Sequence, residues 1–90
     1  MRLEYRRMKT KNHNKAFGIA LAKLRKEKQW SQEFLGFESD LTRTFISLLE
    51  RGQRSPTLNT IFRIASTLNI GVDEVIRKTL NELSANTHST

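Results

Sequence analysis

Ninety residues, with sixteen Lys/Arg against nine Asp/Glu for a formal charge of +7 and no cysteine, leave room for one domain with one modest core and exclude both a disulfide framework and a thiolate metal site. The longest apolar run is far too short to span a membrane, and the basic start is not followed by the apolar segment of a secretory signal, so a cytoplasmic location is expected. Residues 1–28 hold ten Lys/Arg against two Glu (+8) and residues 29–90 hold six against seven Asp/Glu (−1); a polyanion partner would be attracted by the N-terminal third and fitted by the remainder.

Residues 1–13, MRLEYRRMKTKNH, are mostly charged and have no apolar period. They are expected to form a basic, flexible arm, either a solvated tail or a segment that tracks phosphates or enters a minor groove. From Asn14, a candidate cap, to Lys28, the residues Phe17, Leu21 and Leu24 recur at helical spacing, with Lys23, Arg25, Lys26 and Lys28 expected on the surface. Gly18 costs this helix about 1 kcal/mol against Ala unless it lies in a fraying first turn. Trp30 is expected to close the core beneath the two helices after it.

The chain is organised around residues 31–52, SQEFLGFESDLTRTFISLLERG. Ser31 can cap a short helix beginning at Gln32 and Glu33. Leu35 points inward, and Gly36 allows a close crossing by the next helix. Ser39-Asp40 breaks the pattern, at a position where a positive φ is expected and Asp tolerates it better than most residues. Thr42 can cap a second helix over 43–50, ended by Gly52. Ile46 and Leu49 share its inner face, leaving Arg43, Thr44, Ser47 and Leu48 on the outer one. Phe34 and Phe37 are expected to be partly exposed, or to reach the first helix or a partner subunit.

After the loop Gln53-Arg54-Ser55-Pro56, Thr57 can cap a fourth helix over 58–68 with Leu58, Ile61, Ala65 and Leu68 on one face, and Asn69 can end it in a left-handed conformation. Ile70 and Val72 return to the core. Asp73-Glu74 suit the start of a fifth helix, where the dipole favours acids. Its stripe Val75, Ile76, Leu80 and Leu83 exceeds the needs of a small core and is expected to supply a homodimer contact, unless Leu80 and Leu83 fold back onto the same subunit. Residues 84–90 are expected to form a polar, disordered tail.

The run Leu24-Arg25, Ser31-Gln32-Glu33, Leu35, residues 41–47 (LTRTFIS), Glu50-Arg51-Gly52, Arg54, Pro56-Thr57-Leu58, Ile61, Ile64-Ala65 and Leu68-Asn69 resembles the helix-turn-helix of phage repressor and Cro-type transcriptional regulators. The resemblance covers roughly residues 17 to 76. The restriction-modification controller proteins are the subgroup that Thr-Arg-Thr-Phe-Ile-Ser and Glu-Arg-Gly most resemble. Two positions depart from the family pattern: Gly36 stands for the usual small Ala, and Asp40 for the Gly common in the turn.

The resemblance implies an all-α, five-helix, lambda-repressor-like DNA-binding domain over 14–83, with the helix-turn-helix at 31–51. It also implies a homodimer that inserts helix 43–50 into the major groove of a palindromic operator. Arg43 can hold guanine O6 and N7 bidentately, Thr44 and Ser47 can meet base edges, and Leu48 offers apolar contact. Gln32, Thr42, Arg51, Arg54 and Asn59 are the candidate phosphate contacts; Gln32 stands where free backbone N–H groups suit an anion. For each there is a plainer role: Gln32 can merely support its helix, and Arg51 or Arg54 can be solvated or pair with Glu50.

An enzyme lacks its inventory here. His13 and His88 lie near the chain ends, and no stretch gathers a nucleophile, a base and oxyanion donors. No metal ligands, cofactor motif or small-molecule pocket are evident. The remaining alternative is a protein-interaction module, such as an antitoxin-like partner binder, since fold does not fix function.

Overall fold

A computed structural model describes residues 10–89, with side chains described from 13 to 84. Among the described residues five helices follow one another: α1 (Thr10–Glu27), α2 (Gln32–Glu38), α3 (Arg43–Glu50), α4 (Leu58–Leu68) and α5 (Val72–Ser89). There is no strand among the described residues. The all-α, five-helix architecture expected from the sequence is the one observed. Its ends differ: α1 begins at Thr10 rather than Asn14, and α5 runs to Ser89, through the segment expected to be a tail. The rest of the expected arm, residues 1–9, lies outside the described residues.

Local chemistry sets most boundaries. Ser31, Thr42 and Thr57 each adopt extended backbone and accept, through the side-chain oxygen, the N–H three residues ahead, from Phe34 (2.9 Å), Phe45 (3.0 Å) and Thr60 (3.1 Å). Asn69 ends α4 at φ 60°, and Asp40 holds the turn between α2 and α3 at φ 61°. A third left-handed residue, Gln29 at φ 62°, turns the chain out of α1. Ser39 is buried and its hydroxyl donates to the Leu35 carbonyl at 2.6 Å, which helps to stop α2 where the turn must begin.

The core gathers Phe17, Leu21 and Leu24 of α1, Leu35 of α2, Ile46 and Leu49 of α3, Ile64, Ala65 and Leu68 of α4, and Val75 of α5. Trp30, Ile70 and Val72 pack against it half-buried, as the sequence led one to expect, and Leu41 joins them. Two helix crossings are tight at a glycine, and the second is closer than any side chain would allow without movement of the backbone. At Gly36 a Cβ would stand 3.1 Å from the Leu41 carbonyl oxygen and 3.2 Å from the Arg43 nitrogen, so α2 and α3 meet as backbone. At Gly18 it would stand 2.5 Å from the Glu50 carbonyl oxygen and also run into that of Leu49. Gly18 is therefore the contact point of α1 and α3, not a fraying residue.

Three expectations about orientation are corrected. Leu58 is exposed instead of sharing the inner face of α4; Ile64 fills that place, because the buried stripe centres on Ile61, Ile64, Ala65 and Leu68 while Leu58 and Phe62 lie beside it. Val75 and Leu83, expected at a dimer contact, are 1% and 5% exposed within this single chain, whereas Ile76 and Leu80 are 39% and 52% exposed. The reason is that α5 packs along α1, which takes the stripe Val75, Thr79, Leu83 and turns Ile76 and Leu80 outward. Arg25, expected on the surface, is buried.

Candidate nucleic-acid interface

Helix α3 has two unlike sides. Ile46 and Leu49 are fully buried and Phe45 packs against the core. Arg43 and Thr44 are exposed at the helix start, and Ser47 and Leu48 are half-exposed. Among the described residues no carboxylate pairs with Arg43. Five donor hydrogens are thus presented at the tip of a helix narrow enough for a major groove.

The flanking polar groups divide into those already engaged and those free. Thr42 uses its oxygen to accept the Phe45 N–H, which leaves the hydroxyl hydrogen available to an outside acceptor. Arg51 is exposed and its Nε lies 3.4 Å from the Ser47 carbonyl oxygen, a long contact. Arg54 and Asn59 are exposed, in the loop after α3 and in the first turn of α4. Neither Arg51 nor Arg54 pairs with Glu50, because that carboxylate faces inward.

There it meets Arg25, which belongs to the run resembling the family but was expected on the surface, with no partner assigned to it. Arg25 Nε donates to Glu50 Oε2 at 2.7 Å and Nη2 to Oε1 at 2.9 Å, while Nη1 donates to the Trp30 carbonyl at 2.8 Å. Only 10% and 7% of the two side chains is exposed. The Glu50 hydrogen bond raises the Arg25 pKa above its already high ordinary value, burial opposes this, and the Glu50 charge adds to it. The stability carried by this charge is therefore present throughout the neutral range and lost only in strong alkali. Gln32 completes the cluster, its Nε2 donating to Glu50 Oε1 at 2.9 Å. One carboxylate thus ties the end of α3 to α1 and to the first residue of α2.

Beside this cluster, Trp30 meets Phe34 edge to face at 5.0 Å, with Lys28 Nζ 5.5 Å from the Trp30 ring centre. Phe34 and Phe37 are exposed, and with Ser31 and Glu33 they line a shallow hollow. Elsewhere the exposed large apolar side chains are Leu58 and Phe62 on α4 and Ile76 and Leu80 on α5, each pair one turn apart on packed helices. Among the described residues no group of His, Asp or Glu could hold a metal ion, and no helix is long and apolar enough to cross a membrane.

The sequence profile of the helix-turn-helix family matches residues 21–75. The control protein C.BamHI of Bacillus amyloliquefaciens is 42% identical over 62 residues, covering 68% of this chain and 76% of the relative. The crystal structure of the restriction-modification controller protein C.AhdI from Aeromonas hydrophila superimposes with a TM-score of 0.73 at 37% identity, over 76% of this chain and 99% of the other. The controller protein C.Esp1396I, solved as a tetramer in complex with its natural 35 base-pair operator, superimposes with a TM-score of 0.72 at 28% identity, over 79% of this chain and 93% of the other.

Proposed function

The chain belongs to the helix-turn-helix family, with restriction-modification control proteins among its relatives, and on that footing we propose that it is a sequence-specific, double-stranded-DNA-binding transcriptional regulator and not an enzyme. It inserts α3 into the major groove of a palindromic operator. The observation that carries this reading is the outer face of α3, where Arg43 and Thr44 stand exposed on a helix whose other side is anchored in the core. Arg43 reads guanine, and Thr44, Ser47 and Leu48 meet neighbouring base edges or a thymine methyl. Gln32 through its side-chain amide, Thr42 through its hydroxyl, and Arg51, Arg54 and Asn59 hold phosphates and set the register.

A homodimer places two such helices on half-sites about 34 Å apart. The surface that supports it is the exposed apolar set Leu58, Phe62, Ile76 and Leu80, which takes over from Val75 and Leu83. C.Esp1396I assembles further, as a tetramer on its operator, and assembly of this chain on DNA is expected to go at least as far as the dimer. The protein acts in the cytoplasm, where its duplex target lies, as a repressor or as the controller of a restriction-modification operon.

Selection from random duplexes followed by gel-shift titration tests the reading. The expected result is one enriched palindrome and an affinity that falls steeply with salt. Absence of any retained duplex at low salt would overturn it in favour of the partner-binding module.

A further inference from the structure

Glu50 stands at the end of the reading helix, yet its carboxylate turns away from the reading face and takes three donors from two other places in the fold. Arg25 Nε reaches Oε2 at 2.7 Å, and Arg25 Nη2 and Gln32 Nε2 both reach Oε1 at 2.9 Å. An ionised carboxylate only accepts, so the end of the Gln32 carboxamide that faces it must be the NH2 group. A DNA phosphate also only accepts. Of the two ends of Gln32 it too can be served only by the NH2 group, and Glu50 uses one of the two hydrogens there.

We propose that Glu50 is a positioning residue for the phosphate contact of Gln32: it commits one amide hydrogen inward and so holds the other ready for the DNA backbone. The inference rests on the DNA-binding reading above and assigns a part that the reading lacks. Without Glu50 the exposed part of Gln32 can swivel, presenting its carbonyl oxygen to the phosphate as readily as its nitrogen. With it, the side chain is ordered before DNA arrives, which is worth roughly two- to tenfold in affinity. The same carboxylate belongs to α3, so the phosphate grip and the base-reading helix move as one body. Arg25 holds the same carboxylate through two nitrogens; its own charge is spent on Glu50 and is not offered to DNA.

Two measurements on the full chain test this. The first is the side-chain amide resonance pair of Gln32 in the unaltered protein, assigned by its loss in Gln32→Ala. One hydrogen is expected at a bonded position that does not respond to the selected duplex, while the other moves on titration. Two hydrogens that move together, or that both look solvent-bonded in the free protein, overturn the inference whatever any variant does. The second is a double-mutant cycle in gel shift. Gln32→Ala is expected to weaken all sequences about tenfold in the native background, and less than threefold in Arg25→Met/Glu50→Leu, where no buried charge is left behind. Equal factors in the two backgrounds, in a protein that does bind duplex, overturn the inference alone. A native protein that retains no duplex overturns the DNA reading and this inference with it.

Discussion

Replacing Gly18 by Ala is the sharpest test of how α3 is seated, because intrinsic helix preference and packing give opposite signs. Gly in a helix interior is about 1 kcal/mol worse than Ala, so preference alone has the variant stabilised. In the fold, the added methyl would stand 2.5 Å from the Glu50 carbonyl oxygen and overlap that of Leu49. Both are backbone atoms that no rotamer change can move. Comfortable separations start near 3.5 Å, so α1 and α3 must part by roughly 1 Å at their closest point. Overpacking of this kind costs about 1–3 kcal/mol, and rigid neighbours put it at the upper end.

After the gain in helix preference, the net loss is about 1–2 kcal/mol. For a domain of this size that lowers the melting temperature by roughly 5–15 °C. Thermal unfolding followed by circular dichroism reads it directly. Ser66→Ala, on the exposed side of α4, serves as a control in which preference acts without a clash and stability rises slightly. A Gly18→Ala variant that melts at or above the native temperature would refute the close α1–α3 crossing and the account of α3 built on it.

The remaining expectations concern the reading face, the buried pair and the dimer. Arg43→Ala should lose about 1–3 kcal/mol of binding free energy and relax the choice at one base pair, whereas Arg54→Ala should weaken every sequence alike and flatten the salt slope by about one, both read from gel shifts on selected and scrambled duplexes. Because Arg43 is exposed and unpaired among the described residues, its removal should leave unfolding within about 0.5 kcal/mol of native. Glu50→Ala strands the buried Arg25 charge and should cost about 3–5 kcal/mol in urea unfolding, while Arg25→Met/Glu50→Leu should be near neutral, since the pair's attraction is offset by its desolvation. Phe62→Asp or Leu80→Asp should shift the sedimentation of the free protein to that of a single chain; a dimer that survives both places the contact elsewhere.

Features that depend on a few consecutive residues were legible in the sequence. Ser31, Thr42 and Thr57 were readable as caps because the N–H each accepts lies three residues ahead. Asn69 and Asp40 were readable because few residue types adopt a left-handed backbone without strain. Gly36 was legible from its place inside a short helix that the next helix must cross closely. The rest was decided by distant neighbours. Arg25 sits in a run of cations that reads as a solvated face, and its partner Glu50 lies 25 positions on, where no periodicity links them. On α5, Val75-Ile76 and Leu80 to Leu83 read as one broad stripe, and only the line of α1 decides which of them is buried. Gly18 was weighed for its cost to its own helix, while its reason lies in the backbone of another.

These non-local contacts explain how so small an element can present a reading surface. An isolated helix of eight residues is far below the roughly 12–15 at which helices begin to hold themselves in water, and α3 has only that length. Its order must come from attachments, and none of them uses the side chains of Arg43 or Thr44: the Thr42 cap, the burial of Ile46 and Leu49, the backbone contact at Gly18, and the Glu50 clamp. Stability and base choice therefore rest on different residues of one helix. The outer positions can change to suit another operator without disturbing the core, while the inner ones cannot change without moving every outer side chain at once.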